Sequence, residues 1–128
     1  MQSIDRSELP QLRETMRNFG MIVAEVDSDL RYVWIDNPHH DFDARQVLGK
    51  RDDELISTGE AEDIMRLKRE AFETQDLIKR ILRFERSDGA RYYSLCALPI
   101  IESDARVRAI VTIGFDVKDP GNRQGAPA

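Results

Sequence analysis

Three long runs toward the C-terminal end, joined by two short turns, constrain this chain more than anything else in it. In the first, Ile78, Leu82 and Phe84 alternate with Lys79, Arg83 and Glu85, the period of a half-buried strand. Asp88-Gly89 then supplies the positive φ angles that a tight turn needs. Tyr92 to Ile101 returns as a second strand, with Pro99 near its far end, where a missing N–H costs a ladder least. After a turn at Glu102-Ser103-Asp104, Val107 to Val117 gives a third. Three strands in meander order need an apolar layer against one face, and the rest of the chain has to provide it.

Upstream, residues 7 to 19 read as an amphipathic helix: Ser7 can cap it, Pro10 is tolerated in the first turn, Leu9, Leu12, Met16 and Phe19 recur at helical spacing, and Gly20 ends it. Met21 to Asp27 and Leu30 to Asp36 form a second hairpin, with Tyr32 and Trp34 expected on one face and Val33 and Ile35 on the other. Asn37-Pro38 breaks the strand and opens a loop through His39, His40, Asp41 and Phe42. Short helical pieces follow at Ala44 to Leu48 and Asp52 to Ile56. A longer helix from about Gly59 to Thr74, capped by Thr58, turns Ala61, Ile64, Leu67, Ala71 and Phe72 toward the sheet. The sum is an α+β fold, a five-stranded antiparallel sheet with helices on one face and an N-terminal amphipathic helix.

A chain of 128 residues with 41% hydrophobic content makes one domain, with room for a core or a small cavity. Its 24 acidic and 19 basic residues are interspersed, which argues against a nucleic-acid partner or an anionic membrane surface. The apolar runs are too short to span a bilayer, no secretory segment opens the chain, and a single cysteine allows no internal disulfide, so a cytoplasmic setting is expected. His39 and His40 with Asp41 and Asp43 hold metal-ligand residue types, but adjacent histidines on an extended segment point apart, and a polar surface loop is the expectation. Cys96 reads as a small buried thiol, and Asp52-Asp53-Glu54 as solvated charge at a helix N-terminus. No phosphate loop, nucleophile elbow or zinc motif is present.

The order and spacing of several short segments resemble a PAS domain over about residues 20 to 119. They are Val26-Asp27-Ser28-Asp29-Leu30-Arg31-Tyr32, Asn37-Pro38, Leu48-Gly49-Lys50 with Asp53-Glu54-Leu55, Arg83, Asp88-Gly89, Arg91-Tyr92-Tyr93, Pro99-Ile100 and Gly114-Phe115-Asp116-Val117. The segment from Leu30 to His39 looks most like the sensory PAS domains of bacterial histidine kinases. The resemblance implies a regulatory module whose cavity, between sheet and helices, takes a small molecule and passes strain through the last strand to an output domain. Asp116 matches the acidic residue that ends that strand. Carried over by position, the cavity would be lined by Trp34, Phe42, Leu82, Phe84, Ser94, Cys96, Leu98, Thr112 and Gly114. The adduct-forming cysteine of blue-light flavin members and the histidine of haem-binding members are both missing at their positions, so no cofactor is expected.

The expected division is an N-terminal helix over residues 1–20, a PAS sensory domain over 21–119, and a disordered tail or linker over 120–128. The helix stripe is narrow, and a short isolated helix is marginal in water, so it needs a partner surface. That surface is either the sheet of its own chain or the same helix of a second copy; a homodimer is expected, through Leu9, Leu12, Met16 and Phe19 with Val23, Ile35, Ile81, Tyr93 and Leu95 of the outer sheet face. The alternative is a small α+β enzyme with a deep apolar cone. That reading needs an inward carboxylate or histidine on the sheet, and none is expected there.

Overall fold

The computed structural model describes residues 9–118. The Ser7 cap and the tail from 120 to 128 fall outside the described residues. Helix α1 (Leu9–Asn18) leads into β1 (Met21–Val26) and β2 (Tyr32–Asp36). Then come α2 (Ala44–Val47), a 3-10 turn at Asp52–Glu54, α3 (Thr58–Thr74), and the strands β3 (Ile78–Arg86), β4 (Gly89–Ile101) and β5 (Val107–Val117). The five strands form one antiparallel sheet in the order β2-β1-β5-β4-β3, so the first and last strands pair at its centre.

Local signals account for most boundaries. Gly20, at φ +73°, stops α1 with its N–H on the Arg17 carbonyl. Helix α3 begins one residue earlier than its sequence suggests: Ser57 holds the cap position and Thr58 is already helical. It ends without a glycine, at Gln75, which adopts a left-handed φ of 59° while its N–H reaches the Ala71 carbonyl. The buried stripe of α3 is Ala61, Ile64, Met65, Leu67, Lys68 and Ala71, and it packs on the sheet with Ala24, Val26, Phe84, Ala97 and Ile110.

Two register facts decide which side chains face that core. The β3–β4 hairpin pairs Arg86 with Gly89, Leu82 with Tyr93 and Ile78 with Ala97. Paired residues share a face, so Tyr93, Leu95 and Ala97 turn inward and are buried, whereas Ser94, Cys96 and Leu98 turn outward, the reverse of the expected alternation. In the β1–β2 hairpin, Ala24 pairs with Ile35 but Val26 pairs with Tyr32, and the extra residue is accommodated by an irregularity. Such a bulge lets both Tyr32 and Ile35 face the core and sends Trp34 to the outer face beside Glu25, again opposite to expectation.

Helix α1 is tied to the first hairpin by charge. Arg13 and Arg17 both reach the Asp36 carboxylate, at 2.7 and 2.5 Å, and the Asn37 amide donates to the Met21 carbonyl at 3.0 Å. Hydrogen bonds from Arg17 and then Arg13 hold the Asp36 carboxyl at about 2, below the usual carboxylate range.

Candidate functional site

Between the inner sheet face and the helical layer lies a cavity with about 100 Å³ of free space. Every strand contributes to its wall: Ile22 and Ala24, Tyr32 and Ile35, Phe84 and Arg86, Tyr93 and Leu95, Thr112 and Gly114. Pro38, His39 and Phe42 close it from the loop after β2, Val47 from α2, Asp52, Leu55 and Ile56 from the segment leading into α3, and Ile64 from α3 itself. Apolar walls with a few placed polar groups are the make-up of a small-molecule site. Gly114 marks a close approach, because a Cβ there would stand 2.9 Å from Cδ2 of Leu95 on the neighbouring strand.

Phe42, Phe84, Thr112 and Gly114 thus line the cavity, and Leu82 packs against the adjoining core. Trp34, Ser94, Cys96 and Leu98 do not reach it; Trp34 is 39% exposed on the outer face and Cys96 is half-buried there. Ile35, Tyr93 and Leu95, expected at an outer interface, are wall residues instead. Val23 and Ile81 do lie on the outer face, Ile81 well exposed. Leu12 and Phe19 are exposed and Met16 is half-buried; Leu9 opens α1, its side chain lying outside the described residues.

At one end of the cavity the polar groups satisfy one another. Lys68 Nζ donates to Asp52 Oδ2 at 2.6 Å and to Tyr32 Oη at 3.0 Å, and Tyr32 Oη donates to Asp52 Oδ1 at 2.6 Å. The ammonium also sits 4.4 Å from the Tyr32 ring centroid. Lys68 is 0% exposed and Asp52 3%. Burial draws the Lys68 ammonium below its ordinary pKa, against the pull of Asp52. Burial, then Asp52, pushes the Tyr32 phenol well above its own. Asp52 is therefore not the solvated charge its sequence neighbours Asp53 and Glu54 are. A signal for this was present: Lys68 lies four residues after Ile64 and three before Ala71, on the apolar stripe of α3.

At the other end stands Arg86, the last residue of β3. Its guanidinium carbon lies 4.9 Å from the Phe42 ring centroid and 5.0 Å from that of Phe84, and its buried Nε has no hydrogen-bond partner among the described residues. His39 closes the same rim. Its Nδ1 accepts the Asp41 N–H at 3.1 Å and its Nε2 lies 3.1 Å from Asp88 Oδ1, a pattern that places the proton on Nε2. The two imidazoles do not point apart as an extended segment would require; the chain turns there and the rings stack at 4.1 Å. His39, His40 and Asp41 bring ligand atoms within 4.8 Å of one another, but both His39 nitrogens are engaged and the Asp41 carboxylate accepts the Ser87 N–H and hydroxyl. The cluster works as a clasp between the loop and the β3–β4 turn.

That clasp continues to the last strand. Arg91 bridges Asp88 at 2.6 Å and Asp116 at 2.5 Å. The hydrogen bond from Arg91 is the main reason the Asp88 carboxyl sits at about 2.

The geometry has clear counterparts. Histidine kinase 5 of Arabidopsis thaliana is 26% identical over 105 residues, which cover 81% of this chain and 11% of that protein. The chain therefore spans about a tenth of the curated relative it matches. A sensory box sensor histidine kinase from Vibrio cholerae superposes with a TM-score of 0.66 at 18% identity, covering 88% of this chain and 94% of that one. VqmA of Vibrio cholerae, in its complex with ligand and DNA, gives 0.70 at 17% identity, covering 87% of this chain and 52% of that one. At these identities the likeness is one of fold. The DNA complex nonetheless overturns the exclusion of nucleic-acid partners drawn from charge, because interspersed charge describes the field around one domain and leaves open what an assembly containing that fold contacts. No described helix is long and apolar enough to cross a membrane. The profile of the PAS fold matches residues 16–120, and the chain belongs to that family.

Proposed function

We propose that this PAS domain is a sensory module that takes a small molecule into the cavity between sheet and helices and reports its presence through β5. The observation that carries the reading is the apolar cavity itself, walled by all five strands. Its free space is of the same order as the roughly 150 Å³ of an apolar cavity that admits benzene, which points to a ligand of few heavy atoms rather than a flavin or a haem. The ties His39 to Asp88, Asp88 to Arg91 and Arg91 to Asp116 support the second half, since they join the cavity rim to the end of the last strand, where an output domain would follow.

Pairing of two chains belongs to the same proposal. Leu12 of α1 and Phe19 just after it, with Ile81 and Phe115 of the outer face, are large apolar side chains left open to solvent, and a second copy is the surface they would bury. Leu12→Glu with Met16→Glu should turn a dimer into a monomer in light scattering and leave the sheet's circular dichroism intact. A wild-type chain that stays monomeric at high concentration removes this part.

The enzyme alternative needed an inward carboxylate or histidine. Asp52 and His39 do reach the cavity, from outside the sheet, yet each is engaged by its own partners, Lys68 and Tyr32 for the one and Asp41 and Asp88 for the other. The cavity reading is tested by ligand-observed NMR on wild type and Gly114→Leu. Small apolar probes should bind the first and lose the second, because the added side chain must push Leu95 toward the free space. Equal binding to both, or to neither, would sink it.

A further inference from the structure

Resting on that reading, the rim of the cavity narrows the ligand class. Three arginines of β3 and β4 sit on the inward side of the hairpin, and two are spoken for: Arg80 by Glu70 at 2.9 Å, Arg91 by Asp88 and Asp116. Arg86 differs. Its Nη1 donates to the Glu85 carbonyl at 3.0 Å, its Nε is buried without an acceptor, and no carboxylate forms an ion pair with it among the described residues. The two phenyl rings that hold the guanidinium accept no N–H in the plane of the fork. A cation whose buried donor meets no acceptor carries an uncompensated desolvation cost, and a ligand can remove it.

We propose that the cavity binds a small monocarboxylate, its carboxylate on the Arg86 guanidinium and its short apolar tail against Phe42, Phe84 and Tyr93. The planar fork of arginine matches a carboxylate, which answers both the free donor and the free charge, whereas a neutral carbonyl answers only the first. A dianionic phosphate fits worse: Asp41 and Asp88 stand at the same rim, and the remaining wall is apolar. Those two acids are already held, by Ser87 and by Arg91 with His39, so they stay in place when a single negative charge arrives. With about 100 Å³ free, an acid of about four to six non-hydrogen atoms is the size that enters.

The test uses the purified chain with propionate, butyrate and isobutyrate at constant ionic strength, against butyramide and isobutyramide, by calorimetry and by amide shifts of cavity residues. The acids should bind wild type about tenfold or more tighter than the amides. Arg86→Met should erase that difference without weakening the amides, and Arg86→Lys, which keeps the charge and loses the fork, should fall between. Near-ultraviolet circular dichroism shows whether each variant is folded; should Arg86→Met fail that check, Arg86→Gln takes its place. Acids and amides binding alike, or acids unaffected by the loss of Arg86, overturn the carboxylate assignment while the ligand cavity stands. If neither acids, amides nor benzene perturb the cavity amides, the ligand cavity itself falls and takes the assignment with it.

Discussion

The two polar ends of one apolar cavity solve the same problem in opposite ways. At the α3 end, Lys68, Asp52 and Tyr32 are buried together and each is the other's hydrogen-bond partner. At the hairpin end, Arg86 is braced by aromatic rings but its Nε is left without an acceptor. The first arrangement is closed and contributes to holding α3 on the sheet. The second is open, with a buried donor left unanswered among the described residues. Both sets of groups line the same cavity, and what distinguishes them is the state of their hydrogen bonds.

The comparison breaks most visibly at Lys68. Lys68→Met leaves the Asp52 carboxylate buried without its counter-ion and should cost about 3–5 kcal/mol in urea unfolding. Adding Asp52→Leu to it should recover most of that loss, since a buried pair replaced as a unit by apolar side chains is often nearly neutral. A single Lys68→Met variant as stable as wild type would mean the cluster is not a closed unit. Tyr32→Phe removes one donor and one acceptor from the same cluster and should cost about 1–3 kcal/mol by the same measurement.

At the open end the expected stability change is smaller. Arg86→Met gives up contacts with two rings but also removes an unsatisfied donor, so unfolding should move by less than about 1 kcal/mol in either direction. A loss as large as that at Lys68 would show Arg86 to be part of the closed structure after all. The finest test is acid titration of the clasp. Because Arg91 lowers the Asp88 carboxyl from its ordinary 3.8 to about 2, its contribution is complete above the ordinary value and is lost only as pH falls through about 2. Side-chain carboxyl and amide shifts of Asp88 itself should therefore titrate near 2; a midpoint near 3.8 would mean that the tie from Arg91 is absent in solution.

Much of the fold was legible because its signals are local. Alternation along β3, the hairpin turn, which sits one residue earlier than expected at Ser87-Asp88 with Gly89 opening β4, and the stop at Gly20 each depend on a handful of adjacent residues. The site was legible only in part. Phe42, Phe84, Thr112 and Gly114 were found, but the phase of β4 was taken from family position when the turn itself fixes it: Arg86 facing Gly89 makes Leu82 face Tyr93. Any hairpin loop with an even number of residues gives that parity, so the inward Tyr93 and Leu95 could have been read directly. Lys68 on an apolar stripe was likewise a visible anomaly.

The amino-acid sequence by itself determined the order of elements, the antiparallel pairing and the chemistry available to the cavity, because periodicity and turn residues act over a few positions. Tertiary structure alone decided which side chains meet. The irregularity that turns Tyr32 and Ile35 to the same side depends on how β1 and β2 lie together, and the pairing of Asp52 with Lys68 depends on α3 crossing the sheet at one place. Whether Arg86 finds an acceptor depends on residues brought near it only by the closed fold, and a charge's surroundings in space are not written in its neighbours along the chain.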